Sequence, residues 1–405
     1  MRHSRAIASE WSEHLRSRLM QRACWRGGQL LRAYQLGQHA SLTRRQIQRP
    51  LYARLDEPMH LRSHRVLLPG STRNTSSETS KEGMTINVDK PLPQFIDHSL
   101  RGMGQVVFCN SPVSGSLIAG GLCYGDPWLG ALAAVGCASA TATAKIANLD
   151  AGAVSAGLMG YNGALVGCAF PVFLGAYAGQ TVLATVVGGG VSALIASKLG
   201  GLTAPVPQWT LAFNVTTLAA LTYVRPFAEA APAAAALAAS DLAISDLLSA
   251  ALVGVSQIFV VNNPIAGAII LGGVAAYSPL AALATLLGSV IGVLTGLAVG
   301  ADGNQIKDGL WGFNPALTAL SVSVFFVPTG WAYFALAGGG ACLTALVTVV
   351  FKEAVGSMIE SPSLTLPFCA VATGCFLLGG RVPGLMHARA PHSPELNLAA
   401  FRAAA

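Results

Sequence analysis

The sequence predicts an all-α membrane protein: about ten transmembrane helices plus two short re-entrant pore helices, in two inverted-topology repeats. Composition, internal repetition and charge placement each point there. The chain is 53% hydrophobic and 11% charged, where soluble domains carry about 25% charged residues. Apolar stretches at 113–140, 153–175, 178–197, 265–299 and 331–351 follow one another closely. One soluble domain cannot bury so many wholly apolar segments. A bilayer core of about 30 Å takes about 20 apolar residues per helix, which leaves room for about ten spans. The high Gly content, 45 residues, suits helices that approach closely where lipid gives no hydrophobic drive.

Repetition comes next. Gln105-Val-Val-Phe-Cys-Asn-Ser-Pro112-Val-Ser-Gly115 returns 152 residues later as Gln257-Ile-Phe-Val-Val-Asn-Asn-Pro264-Ile-Ala-Gly267. The same offset carries Asp150 to Asp302 and Gly157-Leu-Met-Gly-Tyr161-Asn162 to Gly309-Leu-Trp-Gly-Phe313-Asn314. A gapless duplication in an apolar chain implies two membrane halves with a working site where they meet. Five spans per half is an odd number, so the second half enters the membrane upside down.

Charge supplies the third boundary. Residues 1–83 hold 15 of the 25 Lys+Arg and 6 of the 18 Asp+Glu, a net +9, and the rest is net −2. The high pI therefore belongs to the front arm and implies no nucleic-acid partner for the body. Three readings fit the arm: a tail that touches anionic lipid, a transit peptide, or translation from upstream of a true start at Met84. All three leave 1–83 out of the fold.

The order along the chain follows: a basic arm 1–94, repeat one 95–229, an Ala-rich linker 230–245, repeat two 246–380 and a tail 381–405. Each half opens with the Gln–Asn–Pro block, passes an acidic loop residue and the Gly-x-x-Gly-aromatic-Asn block, and closes in a second Pro-containing helix. The closing blocks are Val206-Pro-Gln-Trp-Thr210-Leu-Ala-Phe213-Asn214 and Ser361-Pro-Ser-Leu-Thr365-Leu-Pro-Phe368-Cys369, now offset by 155.

Pro112 and Pro264 lack an N–H, so the carbonyls of Phe108 and Val260 lose a helical partner. The residue before each Pro is pushed away from helix. Bare carbonyls inside a membrane are tolerated only in protein or beside a wet cavity. Gln105 and Gln257 each add a side-chain acceptor and donor; the bland alternative is helix-to-helix glue. Thr210 and Thr365 either meet at a central constriction or bond back to their own helices. Tyr161 with Leu165, and Phe313 with Leu317, share a helix face by their spacing of four, as core packing or as pore walls.

The eight cysteines form no CxxC pair, and His98, His387 and His392 are scattered. No metal site, cofactor or catalytic triad is implied, so a membrane enzyme lacks its chemistry. The signature blocks contain no Asp, Glu, Lys or Arg, whereas ion-coupled carriers keep buried ionisable groups. A path of amide, hydroxyl and carbonyl oxygens pinched by flat rings suits a small, planar, neutral solute. Such a solute needs replacement partners when it sheds water.

At these blocks the chain resembles the urea transporter family, over about 95–380. The resemblance implies passive, channel-like movement of urea through a pore between two inverted five-helix repeats. It implies a homotrimer, with one pore per protomer, in a cell membrane (bacterial inner membrane or plasma membrane), with urea and lipid as partners. Carried over by motif, Gln105 and Gln257 bind the urea amides. Phe108, Tyr161 and Leu165 line one slot, Phe313 and Leu317 the other, and Thr210 and Thr365 mark the middle. This chain has Val260 where half one has Phe108, which widens the second slot. The family's Leu-Pro-x-x-Thr-x-Pro-Phe block also departs at Val206, Ala212 and Ser361. The alternative is a pore for other small neutral amides or ammonia.

Overall fold

A computed structural model describes residues 92–175, 179–224, 237–359 and 361–404. Residues 1–91 of the arm, Met84 included, and 230–236 of the linker lie outside the described residues. Within these limits the regular structure is helical. In the first half the helices are α1 (Gln94–Gln105), α2 (Pro112–Gly125), α3 (Pro127–Ile146), the short α4 (Ala151–Ser155), α5 (Tyr161–Phe173), α6 (Gly179–Thr203) and α7 (Leu211–Val224). The second half holds α8 (Ile244–Ser256), α9 (Pro264–Tyr277), α10 (Pro279–Ala298), the short α11 (Gly303–Lys307), α12 (Phe313–Phe325), α13 (Gly330–Ile359) and α14 (Leu366–Leu378). A last helix, α15 (Pro394–Ala404), follows.

Local chemistry sets the helix starts, and it sets them twice. Ser111 and Asn263 cap α2 and α9, Asp126 and Ser278 cap α3 and α10, and Asp150 and Asp302 cap α4 and α11. In each case the side-chain oxygen takes a free N–H of the first turn. Pro112, Pro127, Pro264 and Pro279 then occupy the first helical position, where a missing N–H costs nothing. Pro112 and Pro264 thus start helices rather than break them. The break before each comes from the residue three places past the glutamine: Phe108 (φ 58°) and Val260 (φ 61°) are both left-handed. Across the second break the chain bends by 71°.

Close approach binds each half. A Cβ at Gly115 would lie 1.8 Å from the Leu100 carbonyl, and one at Gly267 would lie 2.0 Å from the Leu252 carbonyl. Only glycine lets α2 fold back on α1, and α9 on α8. Between halves, α2 and α9 pack antiparallel. Gly121 abuts Ile270, Gly273 abuts Ile118, and the end of α2 at Gly125 reaches Val261 and Asn263 beside the start of α9.

Four described helices are long and apolar enough to cross a membrane: α3, α6, α10 and α13. The bent pair α8–α9 makes a fifth if taken as one span. Four more apolar helices, α5, α7, α12 and α14, are shorter than that test requires. The expected second Pro-containing helix is present in the second half, where Pro367 stands in the first turn of α14, and is missing in the first, where Pro207 lies before α7; Thr210 and Thr365 stand at helix entrances. Proline is at home in a first turn or the loop before it, so the block marks a start.

Candidate functional site

Gln105 ends α1 and Gln257 follows α8, so each sits where the polar backbone leaves its helix. The Gln105 amide donates to the Ala156 carbonyl (2.8 Å) and the Gln257 amide to the Asp308 carbonyl (2.9 Å). These acceptors are themselves 152 residues apart. Each bond holds the amide nitrogen against its own half and leaves the side-chain oxygen without a protein partner among the described residues. Both glutamines are half-buried within otherwise buried stretches. The Phe108 and Val260 carbonyls accept no backbone hydrogen bond among the described residues. Each half therefore gathers a free amide oxygen and a free carbonyl at one kink.

The walls differ between halves. Phe108 meets Trp209 edge-on at 6.3 Å and Phe325 at 5.7 Å. Trp209 adds Phe325 at 5.2 Å, Phe368 at 5.7 Å and Phe376 at 6.3 Å. Edge-to-face contacts of this kind favour fixed ring positions. At the equivalent places the second half has Val260 and Leu364, both left-handed like Phe108 and Trp209. Non-glycine residues in that region concentrate strain, and here all four flank the kinks and entrances. Phe108, Tyr161, Val260 and Phe313 are half-buried, while Leu165 and Leu317 are each 1% exposed. The two leucines thus pack behind the rings in the core.

The carbonyls of Trp209 and Leu364 are each taken by a different group. The Tyr161 hydroxyl donates to the Trp209 carbonyl. Phe313 has no hydroxyl, and Asn314 Nδ2 donates to the Leu364 carbonyl instead (3.1 Å). Asn162, fully buried, is left with an unpartnered Nδ2. Its oxygen accepts from Phe213 N (3.0 Å), as Asn314 accepts from Phe368 N (3.3 Å).

Thr210 and Thr365 come from opposite halves and touch, hydroxyl to hydroxyl, at 2.7 Å. Both are 3% exposed. Their side chains bond across the halves and not back to their own helices. Asn214 donates to the Thr365 hydroxyl (2.9 Å), and Thr210 meets Cys369 Sγ at 3.3 Å. Equivalent positions of the two halves thus touch each other.

Beside the first kink Arg101 donates to both the backbone oxygen (3.2 Å) and Oδ1 (3.0 Å) of Asn110, and pairs with Asp97 (2.7 Å). At the second, Asn262 donates to the Asp308 carboxylate (2.8 Å). Sequence reasoning quoted Trp209, Asn162, Asn314 and Asn214 within its blocks without a role for them. The recurrence of Asn after each aromatic was the available signal. It missed Phe325, Phe376 and Arg101, which no repeat singles out.

A duplicated, all-helical, apolar scaffold whose kinks expose unpaired oxygens defines a membrane transporter rather than an enzyme. The urea transporter family model matches residues 96–380. Urea transporter 1 of Ovis aries and of Capra hircus are each 34% identical over 303 residues, covering 72% of this chain and 78% of theirs. Urea transporter 1 of Rattus norvegicus is similar to the same extent. The chain belongs to the urea transporter family, and with its apolar helices it is a multi-pass membrane protein.

Proposed function

We propose that this protein conducts urea passively through a pore between two inverted repeats, 95–229 and 246–380. One observation carries the reading: two equivalent glutamines hold their amide nitrogens against protein and leave their oxygens free beside a free carbonyl. Urea presents N–H donors on a flat frame, and such acceptors replace the water it loses. Inversion is supported by the reciprocal contacts Gly121–Ile270 and Gly273–Ile118 and by the antiparallel α2 and α9. On this reading α2, α3, α5, α6 and α7 are five spans, and α1 is re-entrant. Their counterparts α9, α10, α12, α13 and α14, with α8, make the total ten spans and two pore helices. The 13-residue α5 and α12 are shorter than a bilayer core at about 1.5 Å per residue, so they suit the buried centre between halves.

Gln105, Phe108, Tyr161, Leu165 and Gln257, Val260, Phe313, Leu317 form the two slots, and Thr210 with Thr365 forms the middle. Exposed apolar faces on α6 (Leu183, Val187, Val191) and α13 (Phe334, Leu343, Val350) suit lipid or neighbouring protomers, and a homotrimer with one pore each is the assembly proposed. The membrane is a bacterial inner membrane or a plasma membrane. The test is urea flux into proteoliposomes holding the full chain. Flux is expected to run down the urea gradient and to ignore imposed Na⁺ or proton gradients. Flux that tracks an ion gradient, or acetamide flux without urea flux, removes the reading.

A further inference from the structure

Residues 381–404 lie beyond the segment matched by the family model, yet they are built onto the end of the fold that carries the first slot. Ala388 N donates to the Phe325 carbonyl and Val327 N to the Met386 carbonyl, both at 2.9 Å. His387 stacks on Phe326 at 4.8 Å and lies 4.4 Å from the Phe376 ring. Phe376 and Phe325 meet edge-on at 6.0 Å, and Phe325 in turn meets Phe108. Further on, His392 stacks on Tyr277 at 5.4 Å, and its Nδ1 contacts the tyrosine hydroxyl. Tyr277 also faces the Asn110 backbone and Arg101 beside the first kink. Glu395 anchors the segment, accepting from Ser278 Oγ (2.6 Å) and Leu280 N (2.8 Å) at the start of α10. Asn397 Nδ2 donates to the Val324 carbonyl (2.7 Å).

We propose that this C-terminal segment is the outer wall of the first slot. The His392–Tyr277 stack fixes the mouth, and the His387 stack holds Phe325 edge-on to Phe108. Together they set how large a urea analogue enters. This rests on the urea-conducting reading above. Releasing the segment leaves the Gln105 oxygen in place but frees Phe325, so urea still passes and a bulkier amide gains most.

Acid gives a handle on the wall. Burial lowers the pKa of both His387 and His392 from the ordinary 6.5; for His387 a contact with the Phe325 backbone works weakly the other way. The neutral ring is the docked form. A released histidine takes its proton first, so docking is full above pH 6.5 and weakens as pH falls below it. The groups around His392 are Tyr277, Glu395 in the first turn of the following helix α15, and Arg101 beyond Tyr277; Tyr333 faces Glu395. His387 faces Phe326, Phe376 and the Phe325 backbone. Burial alone would raise the Glu395 pKa, but hydrogen bonds led by Ser278 outweigh it and the carboxyl is held below its ordinary value of 4.5. Glu395 therefore stays ionised while the histidines titrate.

The experiment measures the methylurea-to-urea flux ratio of the full chain in proteoliposomes at about pH 7.5 and about pH 5.5, either side of the ordinary histidine value. The wild-type ratio is expected to rise about threefold in acid, and His392→Ala to show a similar rise already at the higher pH. His392→Phe keeps a stacking ring without a titrating nitrogen, so its acid rise is smaller than wild type. Should the alanine variant not insert, the phenylalanine variant's pH comparison decides. A wild-type ratio unchanged in acid, an alanine variant that matches wild type at the higher pH, or a phenylalanine variant with the full wild-type acid rise overturns the inference, while normal urea flux leaves the transport reading standing. Absence of wild-type urea flux overturns both.

Discussion

Gln105 has two polar ends with different duties. Its amide is fixed on the Ala156 carbonyl, so its oxygen is aimed by the protein and not by the solute. Gln105→Leu removes that acceptor and strands the Ala156 carbonyl as well. An unmade hydrogen bond in a dry site costs about 1–3 kcal/mol, so urea flux is expected to fall about tenfold in proteoliposomes with insertion unchanged. Tyr161 makes the opposite case. Removing its hydroxyl frees the Trp209 carbonyl, and the orphaned Asn162 Nδ2 can take it, as Asn314 takes the Leu364 carbonyl. Tyr161→Phe is therefore expected to change the melting temperature in detergent by little, within about 1 kcal/mol. The tyrosine was legible in the sequence as a ring four residues from Leu165. Its partner was not, because Trp209 arrives from 48 residues away.

Four of the helices begin where a capping oxygen and a proline coincide; the signal is local, yet Pro112 and Pro264 were read for the hydrogen bond they remove and not for the helix they start. Helix lengths were less legible. The segments α5, α7, α12 and α14 fall well short of a 20-residue template, and Gly and Ala blur both ends. The first closing block departs from the expected Pro-containing helix because proline tolerates a first turn, as Pro367 does, and a preceding loop, as Pro207 does, equally well. The α1–α2 fold-back tests the packing argument. Gly115→Ala places a methyl 1.8 Å from the Leu100 carbonyl, so the two helices must part. A cost of about 3 kcal/mol is expected from overpacking, read as a lower melting temperature, whereas Gly120→Ala meets open space and is expected to be neutral.

At the scale of the whole molecule, the 152-residue echo was the most legible feature, and it recurs in caps, kinks and hydrogen bonds alike. What it hid is where the halves depart from each other: Trp209 against Leu364, Arg101 against Val253, Asn214 against Cys369. Contacts across the centre decide the roles of Trp209 and Asn214, whereas Arg101 is fixed within its own half by Asp97 and Asn110. Thr365→Val is the corresponding test. It deprives Thr210 and Asn214 of a shared partner, and urea flux is expected to drop about fivefold for a loss of about 1 kcal/mol.

The threonine pair has one more consequence. Asn214 donates to Thr365, while the contacts of Thr210 with Thr365 and with Cys369 Sγ can run in either direction. A hydroxyl turns its hydrogen or its lone pairs to suit its neighbour. On the urea-conducting reading, this reversible pair can meet first an amide nitrogen and then a carbonyl oxygen of the same molecule without moving any backbone.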